Sequence, residues 1–344
     1  MADMLSQLAE QKRKVDFDTF DITVKELVGM VADEMIDIAP DYQRKFRWGP
    51  DRQATLIESV FLGIPIPPLF MAANLDGTWE LIDGVQRLNT LVHYIGGDAL
   101  RKKLGLGDAL RLKGLSKLPV FNDITFEELP SPVQLQFRLR PMKVTTISDK
   151  SDVRVRFDLF ERLNTGGVLL SPQEIRACLH QGSFNDFLKE MAKDAAFRAV
   201  VKLNENQEKD GTPEEFALRF FAYLHKYQEF EHGVKPFLND FMTDASKEFD
   251  YTSNRKLFRR VFKVLSGSLP DGIARGKSVT PVNLFEAITV GAALALQQSR
   301  AIEVNGLKDW MVSKELSQYT TAGTNSKTAV EKRIHFCRDR FLGA

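Results

Sequence analysis

Glu80-Leu81-Ile82-Asp83-Gly84-Val85-Gln86-Arg87-Leu88 runs from an apolar strand through a tight turn into a helix, and its reading decides the fold of the first half of the chain. Upstream, Leu69 to Asn74 and Trp79 to Ile82 flank the turn signal Asp76-Gly77, so the two runs read as a hairpin. Downstream, Val85 to Tyr94 keeps its apolar residues at helical spacing. A glycine between strand and helix lets the backbone approach a ligand closely. The helix start also offers free N–H groups and the positive end of a dipole to an anion. Arg87, in the first turn, can add a bidentate, charge-assisted grip on phosphate. Strand-Asp-Gly-helix is an ordinary connection as well, and turn chemistry alone accounts for Asp83 and Gly84.

Outward from this stretch, short strands and helices alternate. Thr23 with Glu26 predicts a capping box for a helix from Val24 to about Glu34. Met35 to Ile38 alternates apolar with polar and is stopped by Pro40, as a short strand should be. Arg52 to Leu62 puts Leu56, Ile57, Val60 and Phe61 on one helical face, with Gly63 as the stop. Pro65, Pro67 and Pro68 then stiffen the connection to the hairpin. Residues 1–145 therefore read as an α+β domain. Beyond them, Ser131-Pro132, Ser171-Pro172, Thr212-Pro213 and Thr280-Pro281 stand before periodic apolar runs, the pattern of a capped helix start with proline in the first turn. Glu174 and Glu215 would complete two of these caps, and residues 146–344 read as a mainly α-helical domain with a loop at Ser266 to Lys277.

The 344 residues are 43% hydrophobic and 27% charged, which excludes disorder and fibrous repeats and predicts two packed units. Lys plus Arg and Asp plus Glu nearly cancel to a net +1, so any polyanion must be met locally. Cys178 and Cys337 form neither a disulfide framework nor a zinc motif, the usage of a reducing cytoplasm. The most apolar run, Ala287 to Leu296, is half of the roughly 20 residues a membrane span needs and reads as a buried helix. Met1 to Lys14 has the wrong order of segments for a signal peptide, so a cytoplasmic protein without membrane contact is expected.

A second segment sharpens the reading of the turn. In Pro40-Asp41-Tyr42-Gln43-Arg44-Lys45-Phe46-Arg47-Trp48, basic residues interleave with aromatic ones, a composition suited to an anionic ligand with a planar base. A solvated loop with one core aromatic explains it too. Taken together, Asp41-Tyr-Gln-Arg44-x-x-Arg47-Trp48, Glu58-Ser59-x-x-x-Gly63-x-Pro65-x-Pro67-Pro68 and Ile82-Asp83-Gly84-x-Gln86-Arg87-Leu88 resemble the N-terminal domain family of GmrSD-type restriction enzymes. Phe160-Glu-Arg-Leu-Asn164-Thr-Gly-Gly167 with Leu170-Ser171-Pro-Gln-Glu174-Ile-Arg176 is similar to the family's second block. The helix Glu214 to Tyr227 and Phe237 to Met242 extend the resemblance to about residue 260.

The resemblance implies a ParB/sulfiredoxin-like α+β fold for the first domain. It also implies that the DGQQR motif, here Asp83 to Arg87, binds and hydrolyses a nucleoside triphosphate with Mg2+, whose ligands no spacing here dictates. Asp83, Gln86 and Arg87 are then the catalytic candidates, and Gln43, Arg44, Arg47, Gly84, Arg87 and Asn164 the nucleotide-binding ones. Asn164 lies in the Gly-flanked Asn-Thr-Gly-Gly, which is equally a turn former. Glu174 and Arg176 are weaker candidates, since Glu174 already has a task as a cap. One departure stands out: Val85 replaces a motif glutamine, which puts hydrolysis in doubt while leaving phosphate binding by Gly84, the helix start and Arg87 intact.

Family membership also implies a role in modification-dependent DNA restriction and phage defence, beside a nuclease. The five histidines, His93, His180, His225, His232 and His335, show no HNH pattern, so that nuclease is expected to be a separate subunit. A ParB-like module that holds nucleotide and DNA without hydrolysis remains an alternative, as does a ParB-like nuclease, and a homo-oligomer stays open. For DNA, possibly modified, the candidate patches are Arg101, Lys102, Lys103, Arg111, Lys113 and Lys117, and Arg255, Lys256, Arg259, Arg260 and Lys263, though most charge runs are merely solvated faces.

Overall fold

The structure, a computed structural model, describes residues 4–6, 16–38, 48–74, 76–148, 153–163, 170–231, 233–276, 279–321 and 323–343. It divides into two compact units, residues 1–169 and 170–344. Residue 145 lies inside a strand, so the first unit runs past the 145/146 division to take in that strand and the helix after it.

The first unit holds β1 (Phe17–Thr23), α1 (Val24–Ala32), β2 (Ile36–Asp37), α2 (Pro50–Leu62), β3 (Leu69–Ala73), β4 (Trp79–Asp83), α3 (Val85–Ile95), α4 (Asp98–Lys103), α5 (Ser131–Arg138), β5 (Pro141–Ile147) and α6 (Val153–Leu163). The strands form one five-stranded mixed sheet in the order β1-β5-β3-β4-β2. β3 and β4 make the expected antiparallel hairpin, with a register shift between Phe70 and Met71. β5 returns parallel to β3 and antiparallel to β1, while β2 adds a short parallel edge to β4. Amphipathic α1, α2 and α3 bury Leu27, Val31, Ile57, Leu88 and Leu91 against Leu69, Met71, Leu81 and Val144 of the sheet. Each such side chain contributes roughly 1.5–3 kcal/mol. α6 lies against β4, with Phe157 and Phe160 buried. The fold is α+β, as the sequence predicts.

Two residues of the family-like blocks turn out to be builders. Glu58, buried on α2, accepts the amides of Lys117 and Leu118 at 2.9 and 3.0 Å and pins that long loop. Gly63 closes α2 in the left-handed conformation, and Arg140 donates to Phe61 O at 2.7 Å beside it.

The second unit is helical: α7 (Pro172–Leu179), α8 (Ser183–Ala192), α9 (Ala195–Val200), α10 (Thr212–Lys226), α11 (Val234–Lys247), α12 (Tyr251–Ser268), α13 (Val282–Gln298), α14 (Leu307–Trp310), α15 (Lys314–Thr320) and α16 (Lys327–Phe341). Apolar α13 is the centre, packed by α10, α12 and α16. Gly291 allows its approach to α16, since a Cβ there would stand 2.6 Å from Cys337 Cβ. No helix among the described residues is long and apolar enough to cross a membrane.

The expected caps divide. Thr23 accepts from Glu26 N at 3.2 Å, and Ser171 with Glu174 makes the full capping box. Ser131, Thr212 and Thr280 start or precede helices without capping them. Thr212 donates instead to Asp210, Thr280 receives Lys202 N, and Glu215 turns inward to arginines. α12 also runs on to Ser268, into the stretch read as loop.

Candidate functional site

β4 ends at Asp83, and the chain changes direction at Gly84 to enter α3. Gly84 sits at φ +105°, a backbone region that L side chains rarely adopt, and a Cβ there would stand 2.3 Å from Leu69 Cδ2. The glycine is therefore demanded by the turn and by Leu69. No side chain among the described residues caps α3, and the first-turn amides of a helix have no partner within the helix itself, which suits them to an anion.

Beside them, Arg87 Nη2 donates to Asp83 Oδ2 at 2.8 Å and to Pro68 O at 3.2 Å. Both partners are partly buried, the Arg87 side chain 15% exposed and Asp83 25%. Arg87 Nε is buried and has no hydrogen-bond partner among the described residues. The guanidinium is thus aimed across the turn by the rigid proline stretch and one carboxylate, with donor capacity left over.

Gln86 is engaged differently. Its Oε1 accepts the Trp48 amide at 3.2 Å, while Trp48 O accepts from Gln53 Nε2 at 2.8 Å. Arg52 lies over the Trp48 ring, 5.0 Å from its centroid. Gln53 Oε1 meets His93 Nδ1 at 2.8 Å, and His93 Nε2 meets Asp108 O at 2.8 Å. Sequence reading missed Gln53 and His93, which are ordinary polar residues on the α2 and α3 patterns. Their four-residue offsets from Gly49 and Asn89 carry no motif.

Of the candidates, Asp83, Gly84, Gln86 and Arg87 come together at the start of α3. Gln43, Arg44, Arg47 and Asn164 lie outside the described residues. Among those described, no three His, Cys, Asp or Glu side chains gather to hold a metal.

Glu174 and Arg176 belong to other work in the second unit. Arg176, 2% exposed, donates to Asn239 Oδ1 at 3.1 Å and to Gln173 Oε1 at 3.2 Å, and pairs with Glu215 at 3.3 Å. Arg219 joins Glu215 at 2.8 Å and the fully buried Glu286 at 2.7 Å, and Arg333, also fully buried, closes the chain on Glu286. Burial pushes the Arg176 pKa down to about 10 against the pull of Glu215. At Arg219 burial acts the same way, but Glu286 and Glu215 outweigh it and raise the pKa.

The two basic clusters are largely spoken for. Arg101 is buried and ion-paired to Asp98, Lys103 pairs with Glu34, and Arg111 grips Glu128 with two nitrogens. In the second cluster, Arg255 and Arg259 share Glu190, and Arg260 donates to backbone carbonyls at the end of α13. These contacts account for the arginines and for Lys103 without a polyanion.

Comparison with known proteins gives one family match. Residues 24–181 match the model described as GmrSD restriction endonuclease, N-terminal domain. No curated protein matches the chain. Among solved structures, a Pnob8-like ParB-N domain is similar at 13% identity over 95% of this chain and 98% of that chain, with a TM-score of 0.22, too low to bear on the fold. The match takes in β2 to β5, the Asp83–Arg87 turn and the capping box at Ser171, so residues 24–181 are similar to the N-terminal domain of the GmrSD restriction endonuclease.

Proposed function

We propose that the first unit binds a nucleoside triphosphate at the Asp83–Arg87 turn and hydrolyses it, as part of a DNA restriction and phage-defence system whose cutting is done by a separate nuclease chain. The supporting observation is the juxtaposition at the start of α3: an uncapped helix N-terminus, a glycine with positive φ, and an Arg87 guanidinium held at the turn with a spare buried Nε. Phosphate oxygens would take amides at the start of α3 and the guanidinium, with Asp83 aiming Arg87. Gln86 would orient the attacking water. Mg2+ would be carried chiefly by the phosphates and Asp83, since the described residues supply no metal cluster, and it would neutralise charge on the leaving oxygens.

A second reading, a module that binds nucleotide and DNA without turnover, is favoured by Val85 and by the engagement of the Gln86 carbonyl with Trp48. Triphosphate binding and phosphate release, measured for wild type, Arg87→Ala and Val85→Gln with and without DNA, separate the readings. Arg87→Ala should weaken binding about tenfold or more, the worth of a charge-assisted hydrogen bond. Unchanged binding removes the turn as the site. Phosphate release by wild type supports the hydrolase, and release only by Val85→Gln supports the silent module.

A further inference from the structure

The hydrogen bonds that reach Gln86 have a proton count that a neutral histidine does not satisfy. Trp48 N–H donates to Gln86 Oε1, and Gln53 Nε2 donates to Trp48 O. Gln53 therefore presents its oxygen to His93 Nδ1, while His93 Nε2 faces the backbone carbonyl of Asp108. Both oxygens only accept. A neutral imidazole carries one N–H and one lone pair, so it can serve one of them and sets a lone pair against the other. Turning the Gln53 amide around moves the conflict to Trp48 O, where two acceptors would then meet. Gln53 is 3% exposed, so water does not relieve a mismatch at its end cheaply, whereas the His93–Asp108 contact is exposed and a mismatch there costs less. Only the imidazolium, a donor at both nitrogens, completes every link from Asp108 to Gln86.

We propose that Gln53 and His93 are positioning residues for Gln86, acting through the Trp48 backbone, and that the grip on Gln86 is completed when His93 takes up a proton. The inference rests on Gln86 belonging to the nucleotide site. Around the ring, α2 presents the neutral Gln53 amide, the loop after α4 presents the Asp108 carbonyl, and Arg101 of α4 is the nearby charge acting on it. Burial first, then Arg101, pushes the His93 pKa below its ordinary value, and the Asp108 carbonyl resists. Protonation, and with it the complete chain, therefore comes only at a pH below the ordinary histidine value, and one link is open at neutral pH.

The test follows the backbone amide of Trp48 by hydrogen exchange in the full chain, corrected for the intrinsic pH dependence of exchange, together with the pH profile of ATP binding. Trp48 protection should rise about fivefold, the worth of one intramolecular hydrogen bond, as pH falls through the His93 midpoint read from its ring protons. His93→Gln, which offers a donor and an acceptor without titrating, should keep the fold and lose that midpoint. Gln53→Glu should raise the His93 midpoint by adding a charge partner, yet leave Trp48 unprotected wherever the new side chain is ionised, because a carboxylate cannot donate to Trp48 O. A midpoint that survives in His93→Gln, or protection retained in Gln53→Glu while its carboxylate is ionised, overturns the proposal. ATP affinity that ignores a pH step clearly seen at Trp48 overturns the nucleotide reading of Gln86 instead.

Discussion

Arg87 in the first unit and Arg219 in the second are both partly enclosed arginines with carboxylate partners, and they have opposite freedoms. Arg87 rests on one carboxylate four residues before it in the same turn, itself a quarter exposed, and on one backbone carbonyl. Arg219 bridges Glu215 and the fully buried Glu286, which is shared in turn with the fully buried Arg333. A guanidinium of the first kind can exchange its local partner for a phosphate at small cost. One of the second kind cannot leave without stranding charges in a medium that solvates them poorly. Residue type and helical position do not separate a binding arginine from a structural one; the number and burial of its partners do.

The largest effect is therefore expected from Glu286→Gln. It leaves Arg219 and Arg333 facing a neutral amide inside the helical unit, and removing one partner of a buried ion pair costs about 3–5 kcal/mol. Thermal or urea unfolding of the variant measures it. A loss below about 1 kcal/mol would mean that water or rearranged neighbours serve the two guanidiniums, and the contrast with Arg87 would collapse.

Next comes Gly84→Ala. A Cβ at φ +105° carries a backbone cost of about 1–3 kcal/mol, and the 2.3 Å approach to Leu69 Cδ2 adds overpacking. Together about 2–4 kcal/mol of stability should be lost. Pairing the change with Leu69→Ala should relieve the overpacking and leave the backbone cost. If the double variant recovered fully, the positive φ would be no constraint.

The Arg87→Ala variant sharpens the comparison from the other side. A partly exposed pair within one turn is worth about 1 kcal/mol at most, so unfolding should shift little while triphosphate binding falls. Equal losses in both would place Arg87 with the structural arginines.

These contrasts also mark where the sequence was readable. The strand-turn-helix at Asp83 was legible because glycine, turn and periodicity are local signals, and the hairpin, α2 with its Gly63 stop and the Ser171 box were legible for the same reason. The sheet order was not. β5 inserts between β1 and β3 from more than fifty residues downstream of β4, a long-range pairing whose register goes with burial of Met142, Val144, Thr146 and Ile147. Glu215 looked like a cap from its spacing to Thr212, but two arginines brought in by α7 and by the next turn of α10 outcompete a backbone amide for a carboxylate. Gln53 and His93 escaped for a related reason: their significance lies in which atoms they face across α2 and α3, a property of packing that neither residue's neighbours announce.

The smallest effect belongs to Glu190, whose carboxylate is shared by Arg255 and Arg259 at the surface of the second unit. The hydrogen bond from Arg255 first, then the charges of Arg255 and Arg259, hold its pKa below the ordinary glutamate value. A depressed carboxylate contributes stability that is present above its unfolded pKa of about 4.3 and is lost as pH falls through the lower folded value. With the glutamate 42% exposed and Arg259 55% exposed, the contribution should be about 0.2–1 kcal/mol and should shrink in salt. Glu190→Gln should thus flatten a small acid-side slope of the unfolding curve without moving the neutral-pH midpoint by more than a degree or two. A large effect would show that Arg255 and Arg259 repel each other strongly once the carboxylate is gone. That outcome would return this face to the set of surfaces able to receive a nucleic-acid phosphate, in which case the variant should bind DNA more tightly than wild type at low salt.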